Sequence, residues 1–276
     1  MKDARCLTWA GLRIHVTDSG EGEPLLLIMG LGGSSDMWQP FVNHLPGRRV
    51  ITFDSPGTGR SSTPTCPVGI PALAQLAATV LAHVGLSRAD ILGYSYGGAV
   101  AQQLAVQHPK QVRRLVLAAT TMGAGSAPGD VDASLQLASP ARYYRPELFG
   151  QTAGRVYGGR IGRDPDLRED LAMARTRHPP TRWGYFFQLL AGMGWTSRGF
   201  ARLIGQPTLV LAGDQDPLNP LANARELARF IPNSQLHVMH GAGHLLLLDE
   251  AADAGAVVLD FLSLPPSPPK RKGGRP

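Results

Sequence analysis

The sequence of 276 residues contains only two cysteines, Cys6 and Cys66, and no long apolar run. Neither cysteine has a second cysteine or a histidine at metal-ligand spacing, so the pattern excludes a disulfide framework and a structural zinc site. A helix that crosses a membrane needs roughly 18 or more consecutive apolar residues, and no stretch approaches that length. The first five residues also lack the apolar core of a signal peptide, so we expect a cytoplasmic protein without a transmembrane segment.

The net positive charge is small outside the end of the chain. The formal net charge of +6 and the pI near 9.7 would otherwise suggest a nucleic-acid partner. The last seven residues contain four positively charged side chains, Lys270, Arg271, Lys272 and Arg275. The rest of the chain therefore carries a formal net charge of +2. A proline-rich stretch precedes them, so residues 265–276 are predicted to be a disordered basic tail, and no nucleic-acid partner is expected.

Short apolar runs alternate with longer amphipathic segments along most of the chain. This alternation predicts an α/β fold with a mostly parallel, doubly wound sheet. Buried strands are predicted at 25–29, 50–53, 90–93, 115–118, 208–212 and 236–239, after an N-terminal hairpin at 7–9 and 12–16. Helices are predicted at 70–84, 97–107, 222–230 and 250–262.

The alternation breaks between residues 121 and 205, where no strand is predicted. We expect two parts of one core, 1–120 and 206–264, with 121–205 forming a helical lid inserted late in the sheet. The lid segment holds ten of the eighteen aromatic residues. These rings either line an apolar pocket or pack the lid itself. The predicted pocket residues are Tyr143, Trp183, Phe186, Phe187 and Trp195.

One serine lies in a Gly-x-Ser-x-Gly pattern between a predicted strand and a predicted helix. The residues are Gly93, Ser95, Gly97 and Gly98. Flanking glycines allow the tight, strained turn of a nucleophile elbow, which holds the hydroxyl above the edge of the sheet. The pattern alone also occurs in ordinary glycine-rich turns, so the surrounding strand and helix are what favour Ser95 as a nucleophile.

A serine hydroxyl needs a base at neutral pH, and the base needs a carboxylate to orient it. His244 follows the last predicted strand in a glycine-rich loop and is the predicted base, with His240 as the alternative. Asp216 is the predicted carboxylate, because it lies deep in the loop after strand 208–212 and precedes a proline that favours extended backbone. Asp214 is expected to shape the turn.

Nucleophilic attack on a carbonyl also requires backbone donors for the oxyanion that forms. The predicted donors are the N–H of Leu31, in the glycine-rich loop 29–34, and the N–H of Tyr96, which follows the serine. The loop lacks the dinucleotide and P-loop patterns, which argues against a phosphate ligand. No metal and no organic cofactor is expected, because this chemistry needs none.

From about residue 7 to residue 262 the chain resembles the α/β-hydrolase family. The motifs that carry the resemblance occur in the family's order: Gly30-Leu31-Gly32-Gly33, Asp54-x-x-Gly57-x-Gly59-x-Ser61, Gly93-x-Ser95-x-Gly97-Gly98, Gly213-Asp214-x-Asp216 and Gly243-His244. Segments 98–103, 138–143, 157–159, 190–197 and 206–213 are also similar to the intracellular depolymerases of medium-chain-length poly(3-hydroxyalkanoate). The chain differs from them at Tyr96, where they commonly carry tryptophan, and at Met29, where histidine or asparagine is often found.

The resemblance implies an α/β-hydrolase fold and a small-molecule or polymeric hydrophobic ester as substrate. The residues themselves predict a serine carboxylic-ester hydrolase that forms an acyl-enzyme. Alternatives on the same scaffold are an acyltransferase, a C–C hydrolase or a tailoring enzyme of secondary metabolism. A non-catalytic protein that uses the lid pocket as a receptor is the alternative from another class.

Overall fold

A sheet of eight strands forms the centre of the computed structural model, which describes residues 3–264. The strand order is β1-β2-β4-β3-β5-β6-β7-β8. β2 pairs antiparallel with β1 and β4, and the other pairings are parallel. The strands are β1 Asp3–Trp9, β2 Leu12–Ser19, β3 Glu23–Ile28, β4 Arg48–Phe53, β5 Ala89–Tyr94, β6 Val112–Ala118, β7 Thr208–Gly213 and β8 Ser234–Met239. The predicted α/β fold with a mostly parallel sheet is confirmed.

The burial of the central strands explains why short apolar runs identified them. Every residue of β5 and β7 is buried. Strands of a parallel sheet are covered on both faces, so their sequences are continuously apolar instead of alternating. β8 lies at the edge of the sheet and its residues alternate between exposed and partly buried. Predicted strand ends differ from the observed ones by a few residues, as at Met29, which lies just beyond β3.

Helices cover both faces of the sheet. Their bounds are α1 Gln39–Val42, α2 Ile70–His83, α3 Tyr96–Gln107, α4 Val131–Leu137, α5 Ala141–Tyr144, α6 Pro146–Tyr157, α7 Pro165–Arg177, α8 Arg182–Met193, α9 Leu221–Phe230, α10 Leu246–Asp249 and α11 Ala251–Ser263. Short 3-10 helices occur at Ser35–Trp38, Arg160–Gly162 and Ala201–Leu203. On one face α2, α3 and α9 contribute to an apolar cluster, and on the other α6, α7 and α11 contribute to a second one. The predicted helix 250–262 is preceded by the separate turn α10.

Helices α4 to α8 lie between β6 and β7, as the predicted helical lid requires. Several contacts join this insertion to the segment after β3, and two of them involve Gly32 and Asp36. Gln188 Oε1 accepts a hydrogen bond from the Gly32 N–H at 3.0 Å, and His178 Nδ1 lies 2.6 Å from Asp36 Oδ2. The division into units at 121 and 205 stays a prediction. The predicted basic tail lies outside the described residues, and across 3–264 no helix is long and apolar enough to span a membrane.

Candidate active site

Ser95 occupies a strained turn between β5 and α3. Its φ of 53° and ψ of −118° are unusual for a residue with a side chain, and such backbone costs on the order of 1–3 kcal/mol. Neighbouring groups hold it in place. The Ser95 N–H donates to the Ala118 carbonyl at 2.9 Å, and the Ser95 carbonyl accepts from the Gly98 N–H at 2.9 Å and the Thr120 hydroxyl at 2.8 Å.

The glycines of the predicted elbow lie where no side chain fits. A Cβ at Gly93 would collide with the backbone of α3, and one at Gly97 would collide with the Ile28 carbonyl of β3. A Cβ at Gly98 would collide with the Thr120 side chain. Strand, turn and helix therefore approach one another closely enough to lift Ser95 above the sheet edge.

Three distant side chains meet at this edge. His244 Nε2 lies 2.9 Å from Ser95 Oγ, and His244 Nδ1 lies 2.8 Å from Asp216 Oδ2. The other oxygen of Asp216 accepts two backbone N–H groups at 2.9 Å, from Leu218 and Asn219. An acceptor held at Nδ1 fixes the tautomer in which Nδ1–H donates to Asp216, so that Nε2 accepts the hydroxyl proton of Ser95.

The alternative histidine and aspartate form a separate pair at the surface. His240 Nδ1 lies 2.8 Å from Asp214 Oδ2, and the His240 side chain is 87% exposed. Hydrogen bonds from His240 and from the Gly241 N–H hold the pKa of Asp214 below its usual value. Asp214 therefore joins the loop after β7 to the loop after β8, and neither residue of this pair is hydrogen-bonded to Ser95.

Two tyrosines that the sequence did not single out hold His244. The His244 N–H donates to the Tyr157 carbonyl at 2.7 Å, and its carbonyl accepts from the Tyr94 hydroxyl at 3.0 Å. The imidazole lies between the two rings, with centroid distances of 5.7 Å to Tyr94 and 6.3 Å to Tyr157. The sequence feature that could have indicated this contact is the glycine pair Gly158-Gly159. In the structure both residues have positive φ values, 63° and 66°, which let the insertion approach the His244 loop.

The predicted oxyanion donors lie beside the nucleophile. A Cβ on Gly30 would be 3.2 Å from the Ser95 Cβ, so the loop that carries Leu31 lies against the serine. Tyr96 is the first residue of α3, where backbone N–H groups have no partner within the helix. Across residues 3–264 neither N–H donates to a protein acceptor. In contrast, the neighbouring Gly32 N–H is used by Gln188.

A small cavity of about 40 Å³ opens at Ser95 and His244. Its wall is mostly apolar, with two buried arginines; the lining residues are Met29, Gly30, Leu31, Gly33, Met37, Tyr94, Leu137, Arg142, Tyr143, Tyr157, Arg175, Leu218 and Leu245. Of the five aromatic residues predicted for the pocket, Tyr143 lies in this wall.

The other four predicted pocket residues do not line this cavity. On α8 the residues turned inward are Tyr185 and Gln188, so helical periodicity places Trp183, Phe186 and Phe187 in a ring cluster on the opposite side. Trp195 packs on Phe200 and donates its indole N–H to Gln103. Trp183, Phe186 and Phe187 thus lie on the outer side of α8, and Trp195 is buried in the apolar cluster that includes α3.

Comparisons with known proteins agree with the fold. The alpha/beta hydrolase fold family matches residues 23–251. The chain is 43% identical over 240 residues to a poly(3-hydroxyalkanoate) depolymerase of Ectopseudomonas oleovorans, covering 87% of this chain and 84% of that protein. It is 30% identical over 273 residues to a 2-hydroxymuconate semialdehyde hydrolase of Pseudomonas sp. strain CF600, covering 92% of each.

A solved structure supports the same fold. The enol-lactonase from Burkholderia xenovorans LB400 aligns with a TM-score of 0.81 at 24% identity, over 94% of this chain and 100% of that one. The resemblance to poly(3-hydroxyalkanoate) depolymerases that the motifs indicated is also confirmed. This chain is a hydrolase that belongs to the α/β-hydrolase fold family.

Proposed function

We propose that the protein is a serine carboxylic-ester hydrolase that acts on hydrophobic esters, with medium-chain 3-hydroxyalkanoate esters and polyesters as its substrate class. One observation carries the proposal. A continuous chain of hydrogen bonds runs from Asp216 through His244 to Ser95, and the serine faces a cavity with a mostly apolar wall.

The reaction follows from this geometry. Ser95 Oγ attacks the ester carbonyl while His244 Nε2 takes its proton, and Asp216 stabilises the imidazolium that forms. The N–H groups of Leu31 and Tyr96 stabilise the oxyanion. His244 then protonates the leaving alcohol, and the acyl group stays on Ser95. Water activated by the same imidazole attacks the acyl-enzyme, releases the acid and restores the serine.

The cavity wall favours alkyl groups on the substrate. Met29, Met37 and Leu245 line the same cavity as Ser95, and methionine side chains adapt to alkyl chains of differing shape. The relative at 43% identity is named as a depolymerase of a polyester, which supports the polyester as substrate. The relative at 30% identity is named as a semialdehyde hydrolase, so cleavage of a carbon–carbon bond is the second candidate.

The proposal is tested by kinetics on p-nitrophenyl octanoate and on an emulsion of a medium-chain polyester. The Ser95→Ala variant should lose on the order of 10⁴-fold or more in kcat, the scale of a lost triad member. Ser134→Ala is the matched control, because Ser134 is exposed on α4 and lies outside the cavity wall. Turnover of both esters by Ser95→Ala at the parent rate would refute the proposal. Turnover of a vinylogous diketone with no turnover of either ester would favour the second candidate.

A further inference from the structure

Two arginines from the insertion are buried in the wall of the cavity that holds Ser95. Arg142 on α5 is 5% exposed and Arg175 on α7 is 3% exposed. Within residues 3–264 neither guanidinium forms an ion pair with a carboxylate. Burying a charge without a counter-ion costs free energy. The two guanidiniums therefore need other groups that stabilise their positive charge.

Arg142 is satisfied by neutral acceptors. Its Nε donates to the Tyr157 hydroxyl at 2.7 Å, and one terminal nitrogen donates to the Tyr185 hydroxyl at 2.7 Å. The other terminal nitrogen donates to the carbonyls of Gln136 and Ser139. Arg142 therefore holds the insertion together and contributes positive potential to the cavity, while four of its five N–H donors are already used.

Arg175 has unused hydrogen-bond donors. Its one hydrogen bond among the described residues goes from a terminal nitrogen to the Tyr157 hydroxyl at 3.2 Å, and its Nε is buried without a partner. The guanidinium lies 4.7 Å from the ring centroid of Phe149, 4.9 Å from that of Tyr157 and 5.2 Å from that of Tyr143. These rings stabilise the cation but accept no hydrogen bond in the plane of the guanidinium.

Tyr157 lies between the two arginines and bonds to both. Its hydroxyl accepts from both arginines, and its own proton has no acceptor in the described part of the chain. Burial would raise the pKa of this phenol, but the two guanidiniums outweigh burial and hold it below its usual value. An ionised Tyr157 would compensate only one of the two positive charges. The Tyr157 ring also stacks on the imidazole of His244, so this positive site lies one ring away from the base.

We propose that Arg175, supported by Tyr157 and Arg142, binds the carboxylate of the substrate, which makes esters with a free carboxylate the preferred substrate class. A guanidinium with unused donors matches a carboxylate in shape and charge. The identity of the ester rests on the proposed function above. In a chain of esterified hydroxy acids, the free carboxylate belongs to the terminal unit, whose hydroxyl forms the last ester bond. The structure thus favours cleavage next to the carboxyl end, and the carboxylate takes no part in bond making.

Equilibrium binding tests the subsite without requiring turnover. The probes are 3-hydroxyoctanoate and the matched neutral 3-hydroxyoctanamide, titrated near neutral pH into the parent and its variants. The parent should bind the carboxylate about tenfold or more tighter than the amide, because a hydrogen bond to a charged partner is worth roughly 1.5–3 kcal/mol. Arg175→Met should remove this difference, and Arg175→Lys should restore part of it.

Arg198→Met is the control, since Arg198 pairs with Glu226 away from the cavity, and it should discriminate as the parent does. Equal binding of acid and amide by the parent would overturn the proposal, and this outcome does not depend on the folding of any variant. A preference that persists in a folded Arg175→Met protein would overturn it as well. If the parent prefers the carboxylate but hydrolyses no ester, the subsite stands and the proposed ester hydrolysis fails.

Discussion

Asp214 and Asp216 lie two residues apart, yet only Asp216 contacts the histidine that reaches Ser95. The difference comes from the backbone, which directs one carboxylate into the site and the other to the surface. Their contrasting partners make the two aspartates a matched pair for mutagenesis.

Asp216→Asn should lower kcat for ester hydrolysis by roughly a thousandfold or more, because an amide at this place favours the wrong imidazole tautomer. Asp214→Asn should retain the parent kcat, since its partner His240 is exposed. Steady-state kinetics of both variants on p-nitrophenyl octanoate provide the measurement. Equal losses in the two would mean that the loop acts as a whole and that Asp216 has no special role.

Asp249 is a buried carboxyl group outside the catalytic constellation. One of its oxygens accepts the Ile161 N–H at 3.3 Å and the other is buried without a partner. Burial raises its pKa to about 6, against about 4 in an unfolded chain. The folded state therefore binds this proton more tightly, and the contribution of Asp249 to stability falls as pH rises from about 4 to about 6.

Asp249→Asn should raise the free energy of unfolding near pH 8 by about 2 kcal/mol, because a neutral amide is cheaper to bury than a carboxylate. The gain should shrink as pH is lowered to about 3, below the pKa of both states, where the parent carboxyl is mostly protonated in each. Urea denaturation at the two pH values measures both quantities. A gain of the same size at both would show that the titration of Asp249 is not its cause.

At the scale of elements, the insertion supplies part of the support for the base. The end of α6 carries Tyr157, and the next two residues turn back against the loop of His244. A Cβ on Gly159 would collide with the backbone nitrogen of Gly243.

Gly159→Ala should therefore displace His244 and lower kcat by about a hundredfold, since small misplacements of a reacting group are costly. Gly150→Ala is the control from the same insertion, because nothing lies within 4 Å of its added Cβ. That variant should instead gain about 0.5–1 kcal/mol in unfolding free energy, as expected for alanine in a helix. If a folded Gly159→Ala protein turned over substrate at the parent rate, the insertion would not be needed to position His244.

Elements that are buried on both faces could be predicted from the sequence, and residues brought together from separate helices could not. The runs that became β5 and β7 are continuously apolar because both faces are covered. The serine, aspartate and histidine follow strand ends in turn-forming sequences, and the structure brings them within hydrogen-bonding distance. Aromatic enrichment pointed to Trp183, Phe186 and Phe187, whereas the buried face of α8 carries Tyr185 and Gln188 and no residue of α8 lines the cavity.

Arg142 and Arg175 carried no such signal. They lie on different helices, and only the packing of the insertion places both guanidiniums around one tyrosine. A buried arginine also cannot be told from an exposed one by residue type alone.

At the scale of the whole molecule, the site lies within the part of the chain that the structure describes, and the basic end, residues 265–276, is expected to be dispensable for activity. A chain that ends at Leu264 loses four positive charges and none of the residues that line the cavity. Its kcat and KM on p-nitrophenyl octanoate should equal those of the full chain. A large rise in the KM of the shortened chain would contradict this expectation. If added salt raised the KM of the full chain by the same amount, the basic end would be attracting the substrate through its charge.

The central claim is that Ser95 is made reactive by a histidine that a buried aspartate orients. Labelling with a fluorophosphonate, followed by mass spectrometry of the peptides, tests it most directly. The account predicts one phosphonyl group on the peptide that contains Ser95 in the parent and no label in Ser95→Ala. A label on a different serine, or an unlabelled parent that still hydrolyses esters, would contradict it.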